Sequence, residues 1–564
     1  MPSVAGLLGV INWGHQMPNR KYDYIVVGSG AAGSIVAARL GEDRNVRVLV
    51  LEAGPHDNSI YVRMPAAMSY PLTDKTRTWE FDTGPEPALH NRMVPHIRGK
   101  MLGGSGSLNG MVYVRGNPRD FDRWAEDGVK SWSYADCLPY FKKLEAYDGG
   151  ANEYRGGKGP IAITTLKADH EIFQAFLEAG QQAGHPLNKD YNAYRQEGVH
   201  AYQANIDHGI RASGGRAYLR PAVKRGNVDL QLNALVHKVL FSGKKATGVR
   251  YEQAGKVIEA EAEREVILCG GAFNSPQLLL LSGVGPASEL AAHGVKSVHD
   301  LPGVGKGLQD HVAVSVKYRG SRKGVSPVGE MNIFKMAMIG AQWMFLRRGI
   351  GVTNMWETGS FFKSSDSIEY ANIQHEFLPM LGELMHGEVN IEDGFQYQVC
   401  LGRPNSRGAV TLNSGDPRKH PSIVLNYLTD MEDRRNLIDG VRHTDEIIQQ
   451  RGWDKVRGEA VVPGLRKKSD EEIFAWLQDN MGTQYHPCSS CRMGSDDMAV
   501  VDEEGRVHGM QGLRVVDASV MPRISNGNLH APTMMIAEKI SDRIKGVAAL
   551  KREPQPYADQ KQYA

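Results

Sequence analysis

The sequence predicts an α/β fold, α+β overall, in which a doubly wound dinucleotide-binding sheet is assembled from separated stretches of chain and carries a second unit. Three observations lead there. A strand–glycine loop–helix–strand unit stands near the front of the chain, short β-branched strands recur far downstream of it, and 564 residues are too many for one simple core.

Tyr22 to Gly28 reads YDYIVVG, a β-branched run that ends in glycine. Ala31 to Leu40 is alanine-rich and helical in character, and Val46 to Leu51 (VRVLVL) is a second strand. Gly28, Gly30 and Gly33 form G-x-G-x-x-G between strand and helix, with Ser29 and Ala32 inside the loop. Glycines permit the tight turn and let backbone N–H groups meet a pyrophosphate at the positive end of the helix. Glu52 closes the second strand, where a carboxylate accepts hydrogen bonds from the adenosine ribose. The motif does not by itself separate NAD from FAD.

Further strands are expected at Val228–Leu232, Val236–Phe241, Gly248–Tyr251, Val266–Cys269 and Leu513–Val516. The expected division is a lead-in at 1–20, a dinucleotide-binding domain from 21–155, 225–315 and 485–548, a second, substrate-binding unit from 156–224 and 316–484, and a polar, frayed tail at 549–564.

Lys plus Arg is 66 and Asp plus Glu is 64, without the basic excess of a nucleic-acid binder. Five scattered cysteines do not make a disulfide framework and fit a reducing, cytoplasmic compartment. No stretch reaches the roughly 18 apolar residues of a spanning helix. The apolar piece Val4–Trp13 lacks a basic region before it and a small-x-small cleavage site, so 1–20 reads as a flexible lead-in rather than a signal peptide. Ile333 to Leu346 (IFKMAMIGAQWMFL) has the length of a buried helix; the sharper alternative is a membrane-dipping or substrate-entry helix, hence peripheral membrane contact.

Two more glycine clusters and the tail identify a relative. Gly99 to Asp122 reads GKMLGGSGSLNGMVYVRGNPRDFD, and Gly271 to Gly285 reads GAFNSPQLLLLSGVG. Tyr485-His486-Pro487, Cys491-Arg492-Met493-Gly494, Val516-Asp517-Ala518-Ser519 and Gly527-Asn528-Leu529-His530-Ala531-Pro532-Thr533 follow. Together they resemble, in order, the signatures of the glucose–methanol–choline (GMC) family of flavin oxidoreductases, over about Tyr22 to Gly546. Within it, MPAAMSYPL, RGNPRDFDRW, LPGVGKGLQDH and VVDEEGRVHGMQGLRVVDASVMP are similar to bacterial choline dehydrogenase-like alcohol dehydrogenases.

The resemblance implies FAD, a Rossmann-like FAD-binding domain and a substrate domain with an antiparallel sheet backed by helices. It places the isoalloxazine near Gly103, Gly104, Asn109 and Gly110, and the adenine near the Val236 backbone. Asp517, Ala518, Asn528 and Thr533 are expected on the flavin and pyrophosphate side. Where some relatives carry the histidine that binds flavin covalently, this chain has Leu108, which implies non-covalent FAD.

Alcohol oxidation by a flavin needs a base for the hydroxyl proton, and histidine suits the role near neutrality. His486 matches the family's catalytic histidine and His530 its second position, which holds His or Asn; choline dehydrogenases usually have Asn there. Trp356-Glu357 matches a segment with a substrate-side glutamate, and with Tyr485 it suits a quaternary ammonium. The alternative for Glu357 is a structural or histidine-orienting role. Cys488-x-x-Cys491 has no second ligand pair for zinc and reads as two packed thiols. The expected reaction is oxidation of a primary alcohol, choline or a neutral aliphatic or aromatic one, to the aldehyde, with oxygen, a quinone or a dye-like carrier as acceptor. The rival is a lyase on the same fold.

Overall fold

The computed structural model describes residues 21–329, 332–382, 391–462 and 464–559; the lead-in 1–20 lies outside the described residues. Strand β1 (Tyr22–Val27), helix α1 (Ala31–Leu40) and strand β2 (Val48–Leu51) form the expected opening unit. β1 and β2 pair in parallel, Val26 opposite Val50, and all four residues of β2 are buried, as in a sheet covered on both faces.

The first sheet runs Val228–Gln231, β2, β1, Lys256–Leu268, Lys245–Gln253, Ala234–Ser242, with Leu513–Val515 also on Lys256–Leu268. Lys256–Leu268 does two jobs. Its first half closes an antiparallel meander, Gly248 opposite Glu261. Its second half lies parallel to β1 on one side and to Leu513–Val515 on the other, Val26 opposite Ile267 and Val266 opposite Leu513. The sheet therefore draws on three distant stretches of chain. Helix His530–Ile544 packs on α1, where Arg39 makes a bidentate pair with the buried Glu538.

The second large sheet is antiparallel throughout: Arg457–Ala460, Val312–Gly320, Gly394–Leu401, Ile373–Leu378, Thr358–Phe362, Gly198–Ala201. Helices Glu171–Gln182 and Met431–Ile448 bury their apolar faces in its core. Strand Val312–Gly320 belongs to this sheet as a whole, so the expected boundary between 315 and 316 falls inside it. The alternating valines of VAVSV, with no Gly or Pro among them, favour one straight strand over a break there.

Two expectations change. The polar tail is docked up to Asp559: Glu553 N–H donates to Ala135 O at 2.9 Å, Ala558 N–H to Tyr194 O at 2.8 Å, and Tyr557 is buried with its hydroxyl on Asp122. A buried tyrosine, these backbone bonds and the Lys142–Glu553 ion pair hold a segment whose composition looks frayed. Ile333–Leu346 is helical, but only Ile339 and Trp343 are buried; it is not a buried helix. No helix among the described residues is long and apolar enough to cross a membrane.

Candidate active site

A cavity of about 580 Å³ runs from the β1–α1 loop to the antiparallel sheet. Its first end is made of backbone. Gly28 sits at φ +98°, and a Cβ there would lie 2.5 Å from Cys269 O. A Cβ on Gly33 would lie 2.0 Å from Gly28 O, so α1 packs directly against the loop. Gly30 has nothing nearer than Gly104 Cα at 4.0 Å, which leaves its open face to a ligand. Ser29 donates through N–H and Oγ–H to Glu52 Oε2 at 3.0 and 2.7 Å, and Gly54 N–H to Oε1 at 3.0 Å. Burial pushes the Glu52 pKa up against these bonds. Gly28, Gly30, Ala32, Glu52 and Val236 border the cavity; Ser29 and Gly33 stand behind it and shape the loop.

Three helix N-termini meet here: those of α1, Gly271–Leu281 and His530–Ile544, through Ala32, Gly271 and Thr533. Their positive ends suit a pyrophosphate. Asp517 accepts from Gly271 N–H at 2.8 Å, Ser275 Oγ–H at 2.6 Å and Ser519 N–H at 2.8 Å, fastening the N-terminus of Gly271–Leu281 to the segment that carries Ala518. Gly104, Asn109 and Gly110 form the middle of the wall, while Gly103, at φ +88° with its Cβ position 2.2 Å from Ser107 Oγ, is a turn residue off the wall. The glycine cradle, the converging helix ends and the volume fit FAD. Trp356 Nε1, buried at the wall with no partner among the described residues, leaves a donor for such a group.

The other end is made of side chains. His486 follows Tyr485, which is held at φ +61°, a strained conformation for a non-glycine residue. The loop is pinned by buried Asp310, which accepts His486 N–H at 2.7 Å, Tyr427 O–H at 2.6 Å and Thr483 Oγ–H at 2.5 Å. Burial raises Asp310 to about 6 against these bonds. His486 Nδ1 lies 3.0 Å from His311 Nδ1, and His311 Nε2 lies 2.9 Å from Gly402 O. A carbonyl only accepts, so His311 carries its proton on Nε2. Its Nδ1 is then the acceptor, and His486 must donate from Nδ1. The lone pair of His486 is left on Nε2, 3.3 Å from Asn528 Nδ2. Burial, then the nearby His311 and Arg98, hold the His486 pKa well below its ordinary value. His530 also borders the cavity, opposite Gly106, whose Cβ position would be 2.7 Å from the ring. Burial, then Arg211, lowers its pKa to about 4.

Two expected residues move. Glu357 does not border the cavity; its carboxylate accepts Ala168 N–H at 2.9 Å, because strand Thr358–Phe362 turns it toward the loop before Glu171–Gln182. Asn528 borders the cavity at the histidines rather than at the pyrophosphate: Nδ2 donates to Glu376 Oε1 at 2.8 Å, and Oδ1 accepts Gln374 Nε2–H at 3.1 Å. Trp356 and Tyr485 line the cavity as expected.

Three residues were missed. Glu376 lines the histidine end, fully buried; burial lifts its pKa to about 7 against the Asn528 bond. Its signal is a carboxylate within an apolar-ended strand, IQHEFL, all six residues of which are buried. Asp310 and His311 stand adjacent in LPGVGKGLQDH, and a buried acid–histidine pair was the sign to follow. Cys488 and Cys491 are buried free thiols, as expected of packing residues.

Two models described as GMC oxidoreductase match residues 22–313 and 404–537. The "Oxygen-dependent choline dehydrogenase" of Pseudomonas syringae pv. syringae (strain B728a) is 47% identical over 544 residues, covering 95% of this chain and 96% of that protein. The one from Paraburkholderia xenovorans (strain LB400) is 47% identical over 546 residues, covering 96% and 97%. Among solved structures, pyridoxine 4-oxidase from Mesorbium loti superposes with a TM-score of 0.84 at 28% identity, covering 94% of this chain and all of that one. Aspergillus oryzae RIB40 formate oxidase gives 0.88 at 27%, covering 94% and 99%.

Proposed function

The chain belongs to the GMC oxidoreductase family, and from that premise we propose that it oxidises a primary alcohol to the aldehyde with His486 as the base. It is an FAD-dependent oxidoreductase acting on CH–OH groups. Bound FAD supplies the two-electron acceptor, held by the β1–α1 loop, Glu52 and the Gly104–Gly110 wall. The remaining work falls to the chain. His486 Nε2 takes the hydroxyl proton, and the Gly402–His311 relay keeps that nitrogen unprotonated and aimed. His530 stands at the substrate oxygen as second hydrogen-bonding group. Trp356 and Leu378 keep water out of the pocket. The observation that supports this reading is the His311–His486 contact, which leaves the His486 lone pair on Nε2, the nitrogen that faces Asn528 at the cavity wall.

The pocket favours a neutral alcohol. Its substrate-side carboxylate, Glu376, is tied to Asn528 and ionises only near pH 7, while Lys317 and Arg98 also line the cavity. Choline is the second reading, favoured by the relatives' printed names. Those names also make oxygen the first acceptor to test, ahead of quinones and dyes. Nothing in them favours a lyase. An anaerobic screen of flavin bleaching with aliphatic, aromatic and cationic primary alcohols decides. Bleaching by neutral alcohols but not by choline supports the first reading, bleaching by choline alone the second, and no bleaching by any alcohol refutes both. Trichloroacetic acid should release all flavin into the supernatant, since Leu108 offers no nucleophile; yellow protein in the pellet refutes non-covalent binding.

A further inference from the structure

Helix Ile333–Leu346 inverts the usual pattern of a surface helix. Its two buried residues, Ile339 and Trp343, sit one turn apart on Met64 and Ala67, and the Trp343 indole N–H donates to Gly209 O at 2.6 Å. The rest of its circumference is apolar and open: Phe334 is 84% exposed, Phe345 77% and Ile333 72%, with Met338 and Leu346 also exposed. Between Lys335 and Arg347 there is no charged residue. Tyr61 and Tyr70, both exposed, stack at 4.7 Å beside it, and the Tyr70 hydroxyl lies 3.5 Å from Met336 Sδ. Such a patch marks an interaction surface.

The rim identifies the partner. Arg347 and Arg348 are exposed at the helix C-terminus. Arg347, Arg216 and Arg220 also lie close enough to Arg63 to act on it as like charges. The carboxylates paired with this group are Asp57, on Arg220, and Asp207, 3.8 Å from Arg216, so cations are in excess. A protein groove takes one apolar stripe of a helix. Here the apolar surface wraps the whole outward side, is flanked by aromatic rings and ends in arginines, which is the chemistry of a lipid interface. Fourteen residues span about 21 Å, short of the ~30 Å hydrocarbon core, so the helix would lie in the interface and not cross it.

We propose that helix Ile333–Leu346 and its arginine rim dock this protein on an anionic lipid bilayer. Met68 and Leu72, which flank Tyr70, line the cavity, so the docked face is the one behind that cavity wall.

The test is co-sedimentation of the FAD-loaded full chain with phosphatidylcholine vesicles, with and without phosphatidylglycerol, at low and high salt. Sedimentation with the anionic vesicles, at least tenfold stronger than with phosphatidylcholine alone and weakened by salt, is expected. Phe334→Glu with Phe345→Glu should abolish it while the flavin absorbance and its bleaching by alcohol stay unchanged. The proposal is overturned if the wild type ignores anionic vesicles or if the double variant binds them as well as the wild type. It is equally overturned if light scattering shows a dimer that the double substitution dissolves, since the face is then a protein interface.

Discussion

The two ends of the cavity are built on opposite principles. The glycine end is backbone: glycines without room for a Cβ, helix N-termini and one carboxylate held by Ser29 and Gly54. The histidine end is a relay of side chains, Gly402 O to His311 to His486 to Asn528 to Glu376, drawn from strands and loops far apart in sequence. Backbone built this tightly has one arrangement or none. A relay of side chains can lose a member and keep its shape. Damage to the first end should therefore be all-or-none, and damage to the second graded.

The largest effect is expected from Gly33→Val, which drives a side chain into Gly28 O; the purified protein should be insoluble or free of flavin, read from the ratio of visible to ultraviolet absorbance. Normal flavin content would break the contrast. His486→Ala should keep its flavin and lose at least about 10²-fold in anaerobic flavin reduction. His311→Ala should cost roughly tenfold or more in the same rate constant, with the alcohol KM little changed, because it removes the acceptor that sets the His486 tautomer. An unchanged rate there would remove His311 from the relay.

The pH dependence sharpens the same point. Since burial holds the His486 pKa well below its ordinary 6.5, flavin reduction by a neutral alcohol should stay level down through pH 6.5 and fall only in more acid solution. The smallest effect concerns stability. The Glu376 carboxyl ionises near 4.5 when unfolded and at about 7 in the fold, so the fold binds the proton more tightly. That contribution is present below pH 4.5 and is lost as pH rises through 7. Glu376→Gln should accordingly raise Tm relative to wild type more at pH 8 than at pH 5, measured by flavin-fluorescence melting.

The same contrast explains what the sequence made legible. G-x-G-x-x-G and Glu52 are local, and their spacing carries the geometry, so β1, α1 and β2 were found nearly to the residue. Whether Glu357 or Glu376 faces the pocket depends on how strands Thr358–Phe362 and Ile373–Leu378 lie in a sheet of distant members. A strand alternates its faces at every residue, and nothing local says which face is the cavity. Asn528 lies in the loop before His530–Ile544, and only the bonds to His486 and Glu376 show which part of the cavity it borders. The tail shows the limit of composition: a buried Tyr557, backbone bonds and ion pairs to distant residues hold a segment that reads as solvent.

The pairing of Lys256–Leu268 with Leu513–Val515 also sets a timetable for biosynthesis. Roughly 250 residues separate the two strands, which at 5–20 residues per second is about 10 to 50 s of translation. Until the last strand and helix His530–Ile544 emerge, one edge of Lys256–Leu268 and the outer face of α1 stay uncovered. The front of this chain is thus expected to wait on the ribosome with apolar surface exposed, and to close its sheet only at the end of synthesis, whatever the order of the motifs along the gene.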